Sequence, residues 1–180
     1  MLKKDLIIDS KVVYNFMKIL ITGGLGFIGS NLAKRLVEDG NEVIIIDNLM
    51  KNYGGNLFNI SNFSKNITLH SCDIRDIRSI KKVLHKIDII FNLASQIGHS
   101  FSMEKPIEDL DINTVAQLNF LETIRMICPE ALIIYTSTRQ VYGAPRYKPV
   151  DENHPINPPD INGINKFAAE QYHLLYNKIY

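Results

Sequence analysis

The chain has few of the features that mark several function classes. Its formal net charge is only +1 over 180 residues, and no run of lysine and arginine interleaved with aromatics gathers anywhere. No electrostatic case for a nucleic-acid surface follows from that composition. Long apolar runs are missing too: the longest, "VIIIDNL" and "IDIIFNLA", are strand-sized, so no membrane span is expected. Cysteine is scarce, and Cys72 and Cys128 stand alone without metal-ligand spacing, as reduced thiols of a cytoplasmic protein would. None of the five histidines stands in ligand spacing to another, so no metal is expected, and His70 and His85 read as structural or solvated. No solenoid-length repeat occurs. Residues 1–16 lack a secretory pattern, because Asp5 and Asp9 interrupt the apolar stretch and no small-residue cleavage site follows. They read as an N-terminal extension ahead of Met17.

From Met17 onward, short β-branched runs alternate with longer amphipathic stretches. Strands are expected at 18–22, 42–47, 67–73, 88–94 and 131–138. Helices are expected at 27–40, 76–86, 106–127 and 161–178, the last after a Pro-rich loop at 145–159. Strands apolar throughout, each followed by a helix, imply a parallel sheet covered on both faces. The fold class is therefore α/β, a doubly wound parallel sheet, with residues 17–180 as one domain.

"ITGGLGFIGS" falls where the first strand gives way to the first helix. Gly23, Gly26 and Gly29 recur every third residue. Glycine is needed there so that the backbone turns tightly, lets a pyrophosphate reach its amides, and packs the helix close to the sheet. With Phe27 and Ile28 they open a helix whose free N–H groups suit phosphate oxygens. Asp47 ends the second strand at the spacing where a carboxylate takes the adenosine ribose hydroxyls. A carboxylate there repels a 2′-phosphate, and no arginine follows closely, so NAD is favoured over NADP.

These motifs, with "DN" (Asp47, Asn48), "CDIRD", "NLAS", Asn113, "STRQVYG" and "NK" followed by "AAEQY", resemble the extended short-chain dehydrogenase/reductases. Within them the chain is most similar to nucleotide-sugar epimerases and dehydratases, in particular the CDP-tyvelose 2-epimerase and UDP-glucose 4-epimerase branches. The resemblance covers Met17 to the end, and it implies a Rossmann fold, NAD as cofactor and a nucleotide-sugar as substrate. It also implies that Asp73 and Ile74 hold the adenine and that Leu93, Ala94 and Ser95 line the cofactor beyond the fourth strand. After the helix asparagine, the family's glycine and threonine are here Ala116 and Gln117. Members of the family continue past the lysine helix, so the chain reads as the cofactor-binding portion, with the C-terminal substrate region absent.

The family's catalytic unit is a Ser or Thr, a Tyr and a Lys. The resemblance carries two of these roles onto Thr138, with Ser137 beside it, and Lys166, which also holds the nicotinamide ribose. At the tyrosine's place stands Asn162. An amide places a hydroxyl but does not titrate, and a positioned general base contributes roughly 10²–10⁴-fold. Tyr142 is no substitute, since the family carries a tyrosine there as well as the base. His154 and Asp160 are the nearest titratable groups before the helix, and the loop holding Ser102 and Pro106 runs near the substrate in the family. In an otherwise ordinary site, Asn162→Tyr would restore the lost factor. Two functions stay open: an epimerase/dehydratase acting by transient oxidation of a sugar hydroxyl, or a non-catalytic NAD-binding and dimerising module.

Helix 106–127 shows one apolar stripe (Ile107, Leu110, Leu118, Leu121, Ile124) with Ile112, Val115 and Met126 off it, and helix 161–178 is likewise apolar on two sides. A helix on a sheet needs one such face, so a homodimer through these two helices is expected.

Overall fold

The computed structural model of the chain describes residues 16–51 and 53–180. The extension thus lies outside the described residues, apart from Phe16. Five strands form one parallel sheet: β1 (Lys18–Thr22), β2 (Glu42–Asp47), β3 (Ile67–Ser71), β4 (Ile89–Asn92) and β5 (Leu132–Tyr135). Their order is β3-β2-β1-β4-β5. The chain works outward from β1 to β3, then returns to the other side of β1 for β4. A crevice opens at that reversal, beyond the carboxyl ends of β1 and β4.

Alternate residues of the central strands feed two cores, which is why these strands are apolar without interruption. Leu20, Ile44, Ile46 and Ile90 pack with Ile80 of α2 (Ile77–Val83) and Phe120 of α5 (Ala116–Ile127). On the other face, Ile19, Ile21, Val43 and Ile45 pack with Leu25 and with Ala33 of α1 (Phe27–Glu38). Full burial of each such side chain contributes roughly 1.5–3 kcal/mol. The expected doubly wound sheet is what forms. Three strands end two or three residues earlier than the sequence pattern reaches, because residues 72–73, 93–94 and 136–138 leave the ladder and line the crevice.

Three further helices frame it: α3 (His99–Glu104), which the sequence reading missed, α4 (Pro106–Leu110), and α6 (Ile161–Ile179). Helix α4 runs into α5 through a π-helical turn, Asp111–Val115. That extra residue rotates the helix face and breaks the apolar stripe expected over 106–127. Leu121 and Ile124 are buried as the stripe requires, but Ile107 is 75 % exposed while Ile112, expected off it, is buried. A regular 3.6-residue period cannot reveal such a phase shift, and π turns concentrate at functional sites. Here it turns Asn113 inward toward the crevice loop. No helix among the described residues is long and apolar enough to cross a membrane.

Candidate functional site

The crevice is a cleft of about 400 Å³. Its floor is the β1–α1 turn. Thr22 Oγ1 accepts hydrogen bonds from the Leu93 and Ala94 amides, both at 3.0 Å, and donates to Asn92 Oδ1 at 2.9 Å, tying the ends of β1 and β4 together. Gly23 sits at φ +67° against the Ala94 backbone, and a Cβ on Gly29 would stand 2.5 Å from the Gly23 carbonyl oxygen. Neither position admits a side chain without moving backbone. Helix α1 then begins at Gly26 with no side-chain cap and no acidic residue in its first turn. Its first N–H groups and positive dipole end are left for an anion. Phe27 and Ile28, 83 % and 64 % exposed, flank that end.

Asp47 ends β2 with its carboxylate fixed by the Leu25 amide (3.1 Å) and the Leu49 amide (2.8 Å). Asn48 donates to Asp73 Oδ2 at 2.8 Å. Arg75 forks onto both oxygens of Asp73, through Nε at 2.9 Å and Nη2 at 2.8 Å, and reaches Asp111 at 3.1 Å. The Arg75 fork holds the Asp73 carboxyl down at about 2. Arg75 is thereby committed within the protein, and the cleft beside Asp47 keeps its acidic character.

Lys166 lies at the other end, 5 % exposed. Its Nζ donates to the Thr136 carbonyl at 2.6 Å and sits 4.6 Å from the centre of the Tyr135 ring. Burial pulls the ammonium down to about 8, against the opposing fields of Asp109 and Glu170. Thr138 caps a short 3₁₀ turn, its Oγ1 accepting from the Gln140 amide at 3.3 Å.

Asn162 is built into the wall. Its Nδ2 donates to Gln96 O (2.9 Å), Gln96 Oε1 (3.1 Å) and Asp109 Oδ2 (3.1 Å). Asn113 and Asn165 donate to the same buried carboxylate, at 3.1 Å and 2.8 Å, and Asn113 clamps the main chain of Gln96 on both sides. Three amides thus satisfy one carboxylate that is wholly buried, where an unpartnered charge would be costly. Asn162, at the position that the resemblance gives to the tyrosine, is thus a hydrogen-bond partner of Asp109.

The structure gathers every residue singled out in the sequence as cofactor-binding or catalytic around this one cleft, from Gly23 and Asp47 to Thr138, Asn162 and Lys166. His154, Asp160 and Ser102 do not themselves line it, although Asp160 stands behind His99, which does. His154 is buried with Nε2 accepting from the Arg146 amide at 2.9 Å and Nδ1 3.0 Å from the Pro155 carbonyl. Ser102 is buried in α3 and bonds back to the His99 carbonyl at 2.7 Å. Sequence reasoning missed Gln96, Asp109, Asn165 and His99, and only the N-cap position of Asp160 before "INGINK" hinted at that corner.

The sequence profile of the GDP-mannose 4,6 dehydratase family matches residues 20–180. A putative UDP-glucose 4-epimerase of Methanocaldococcus jannaschii is 39 % identical over 163 residues, which cover 90 % of this chain and 52 % of the relative. The CDP-paratose 2-epimerase of Salmonella typhi is 36 % identical, over 91 % of this chain and 54 % of its own. The crystal structure of the Thermus thermophilus UDP-glucose 4-epimerase complex with NAD superposes with a TM-score of 0.81 at 29 % identity, covering 91 % of this chain and 52 % of that one. The chain spans about half the length of the relatives it matches.

Proposed function

The chain belongs to the GDP-mannose 4,6 dehydratase family, and we propose that it works as an NAD-dependent nucleotide-sugar epimerase or dehydratase that oxidises a sugar hydroxyl transiently. The observation that carries this reading is the convergence of an uncapped helix start, an acid at the end of β2 and a buried lysine in one cleft. The cleft's own geometry fits a dinucleotide. The Gly23–Gly29 turn leaves room that a single Cβ would fill, and the α1 amides suit a pyrophosphate. Asp47 would take the adenosine ribose hydroxyls, Asn48, Asp73 and Ile74 would border the adenine, and Leu93, Ala94 and Ser95 would line the dinucleotide. When bound, the nicotinamide supplies a hydride acceptor. Lys166, charged below about pH 8, holds the nicotinamide ribose, and Thr138 orients the sugar oxygen. Asn162 offers that oxygen no donor, because its amide nitrogen is committed to Gln96 and Asp109.

We place the protein in the cytoplasm, as a homodimer through 106–127 and 161–178. Ile107, Val115, Ile164 and Leu175 are exposed on those helices, and a helix packed on a core needs only one apolar face, which leaves these for a partner. A second reading, a non-catalytic NAD-binding and dimerising module, draws on Asn162 alone. Incubation with NAD and a panel of UDP- and CDP-hexoses, followed by NMR of the sugar, separates them. An epimer or a keto-sugar is the expected product, and an unchanged panel in the presence of bound NAD favours the module.

A further inference from the structure

A transient oxidation needs a group to take the hydroxyl proton, and the amide of Asn162 does not titrate. The titratable side chains lining the cleft are Asp47, Tyr53, Cys72, Asp73, His99 and Lys166. Asp47, Cys72 and Asp73 stand at the ends of β2 and β3, on the adenine side. Lys166 is bonded to the Thr136 carbonyl. The Tyr53 hydroxyl is buried without a partner among the described residues. Burial and the Glu108 carboxylate push that phenol up, with the nearby Gln96 side chain opposing more weakly. That direction disfavours the phenolate a base requires.

His99 remains, and it is held as a base is held. It opens α3, half-exposed at the cleft, with Nδ1 2.9 Å from Asp160 Oδ2. Asp160 is itself immobilised: its side chain is 12 % exposed, and its other oxygen caps α6 by accepting from the Gly163 amide at 2.8 Å. Gln140 Nε2 reaches the same Asp160 oxygen at 3.3 Å and lies 3.1 Å from His99 Nδ1. With the Gln140 amide donating to Asp160, the carboxylate, charged and nearer to Nδ1 than that neutral amide, selects the tautomer protonated there. Nε2 is then left bare, and it makes no hydrogen bond among the described residues. His154 and His173 have both nitrogens engaged instead. The dyad stands on the Thr138 and Asn162 wall: Gln140 is bonded to Thr138 on one side and to Asp160 on the other, and Asp160 begins the helix that carries Asn162 and Lys166.

We infer that His99, oriented by Asp160, is the proton acceptor that serves this site in place of a tyrosine. The role rests on the proposed function. As the sugar O–H bond breaks, its proton forms a bond to His99 Nε2, and the freed electron pair becomes the carbonyl π bond. The carbinol hydrogen leaves as hydride to oxidised nicotinamide dinucleotide, so the sugar is oxidised and the dinucleotide reduced. In the return step His99 gives the proton back as hydride returns to carbon. An imidazole performs both halves near neutral pH.

Asp160→Asn is the incisive variant, since asparagine caps a helix about as well as aspartate but no longer holds the tautomer by charge. With NAD and UDP-glucose or CDP-glucose as probes, His99→Gln should lose roughly 10²–10⁴-fold in kcat. Asp160→Asn should lose activity with little change in Tm, and added imidazole should restore part of the rate to His99→Ala. NAD affinity by calorimetry should stay within about threefold in all of them, and His85→Gln should behave as the parent. Independently of turnover, nitrogen NMR of the histidine-labelled protein should show His99 protonated at Nδ1 and shifted toward Nε2–H in Asp160→Asn. Parent activity retained in His99→Gln, or an Nε2–H tautomer in the parent, overturns the role and leaves the proposed function standing. A parent that binds NAD but converts no nucleotide-sugar overturns both.

Discussion

Replacing Asn162 by alanine tests whether this residue is a vacancy or a structural member. In the structure its amide nitrogen serves a fully buried carboxylate and both the main-chain and side-chain oxygens of Gln96. A hydrogen bond to a charged group contributes about 1.5–3 kcal/mol, and a buried acceptor left unpaired adds about 1–3 kcal/mol. With some relaxation of Gln96, the loss should be roughly 2–4 kcal/mol in urea unfolding, or about 5–15 °C in Tm for a chain of this size. The effect should couple to Asp109→Asn by at least about 1 kcal/mol in a double-mutant cycle, because both changes act on one network. Asn162→Tyr should break the same bonds and bring no gain in turnover, whereas a site that had merely lost its tyrosine would gain about 10²-fold. Stability of Asn162→Ala within about 0.5 kcal/mol of the parent, the range of an uninvolved surface change, would refute the reasoning.

Further outcomes follow from other parts of the cleft. Asp47 should make NAD bind at least about tenfold tighter than NADP, equivalent to about 1.4 kcal/mol, and Asp47→Ala should narrow that gap in calorimetry. Lys166 releases its proton at about 8 in the folded state against an ordinary 10.5, so the unfolded chain binds more protons between those values. Its penalty is therefore fully present below pH 8 and is relieved as pH rises to 10.5. Relative to Lys166→Met, the parent should gain up to roughly 3 kcal/mol across that window in denaturation experiments. Charges placed at Val115 and Tyr172 should make the proposed homodimer monomeric or insoluble without altering NAD affinity; a soluble monomer of the parent at tens of micromolar in sedimentation would count against the interface.

Much of this architecture was legible because it is written locally. The apolar runs of β1 and β2 carry their own period, and the glycine turn, Asp47 and the lysine helix announce themselves within a few residues. Two kinds of feature were not legible. The π turn at 111–115 shifts the phase of a helix whose residues still look helical, so Ile107 was expected inside and lies outside. The other kind is long-range: Asn162 meets Gln96 across 66 residues, and His99 meets Asp160 across 61. No spacing rule reaches that far. Asn162 read alone is a missing base. Beside Asp109, Asn113 and Asn165 it is one of three amides that make a buried carboxylate tolerable.

The most direct test of the whole account is a single-turnover mixing of the NAD-loaded protein with UDP- and CDP-hexoses, watching the near-ultraviolet absorbance of reduced nicotinamide. At least one nucleotide-sugar should produce that absorbance transiently, in step with the appearance of an altered sugar. NAD bound in the cleft, with no reduction by any sugar of the panel, would contradict it.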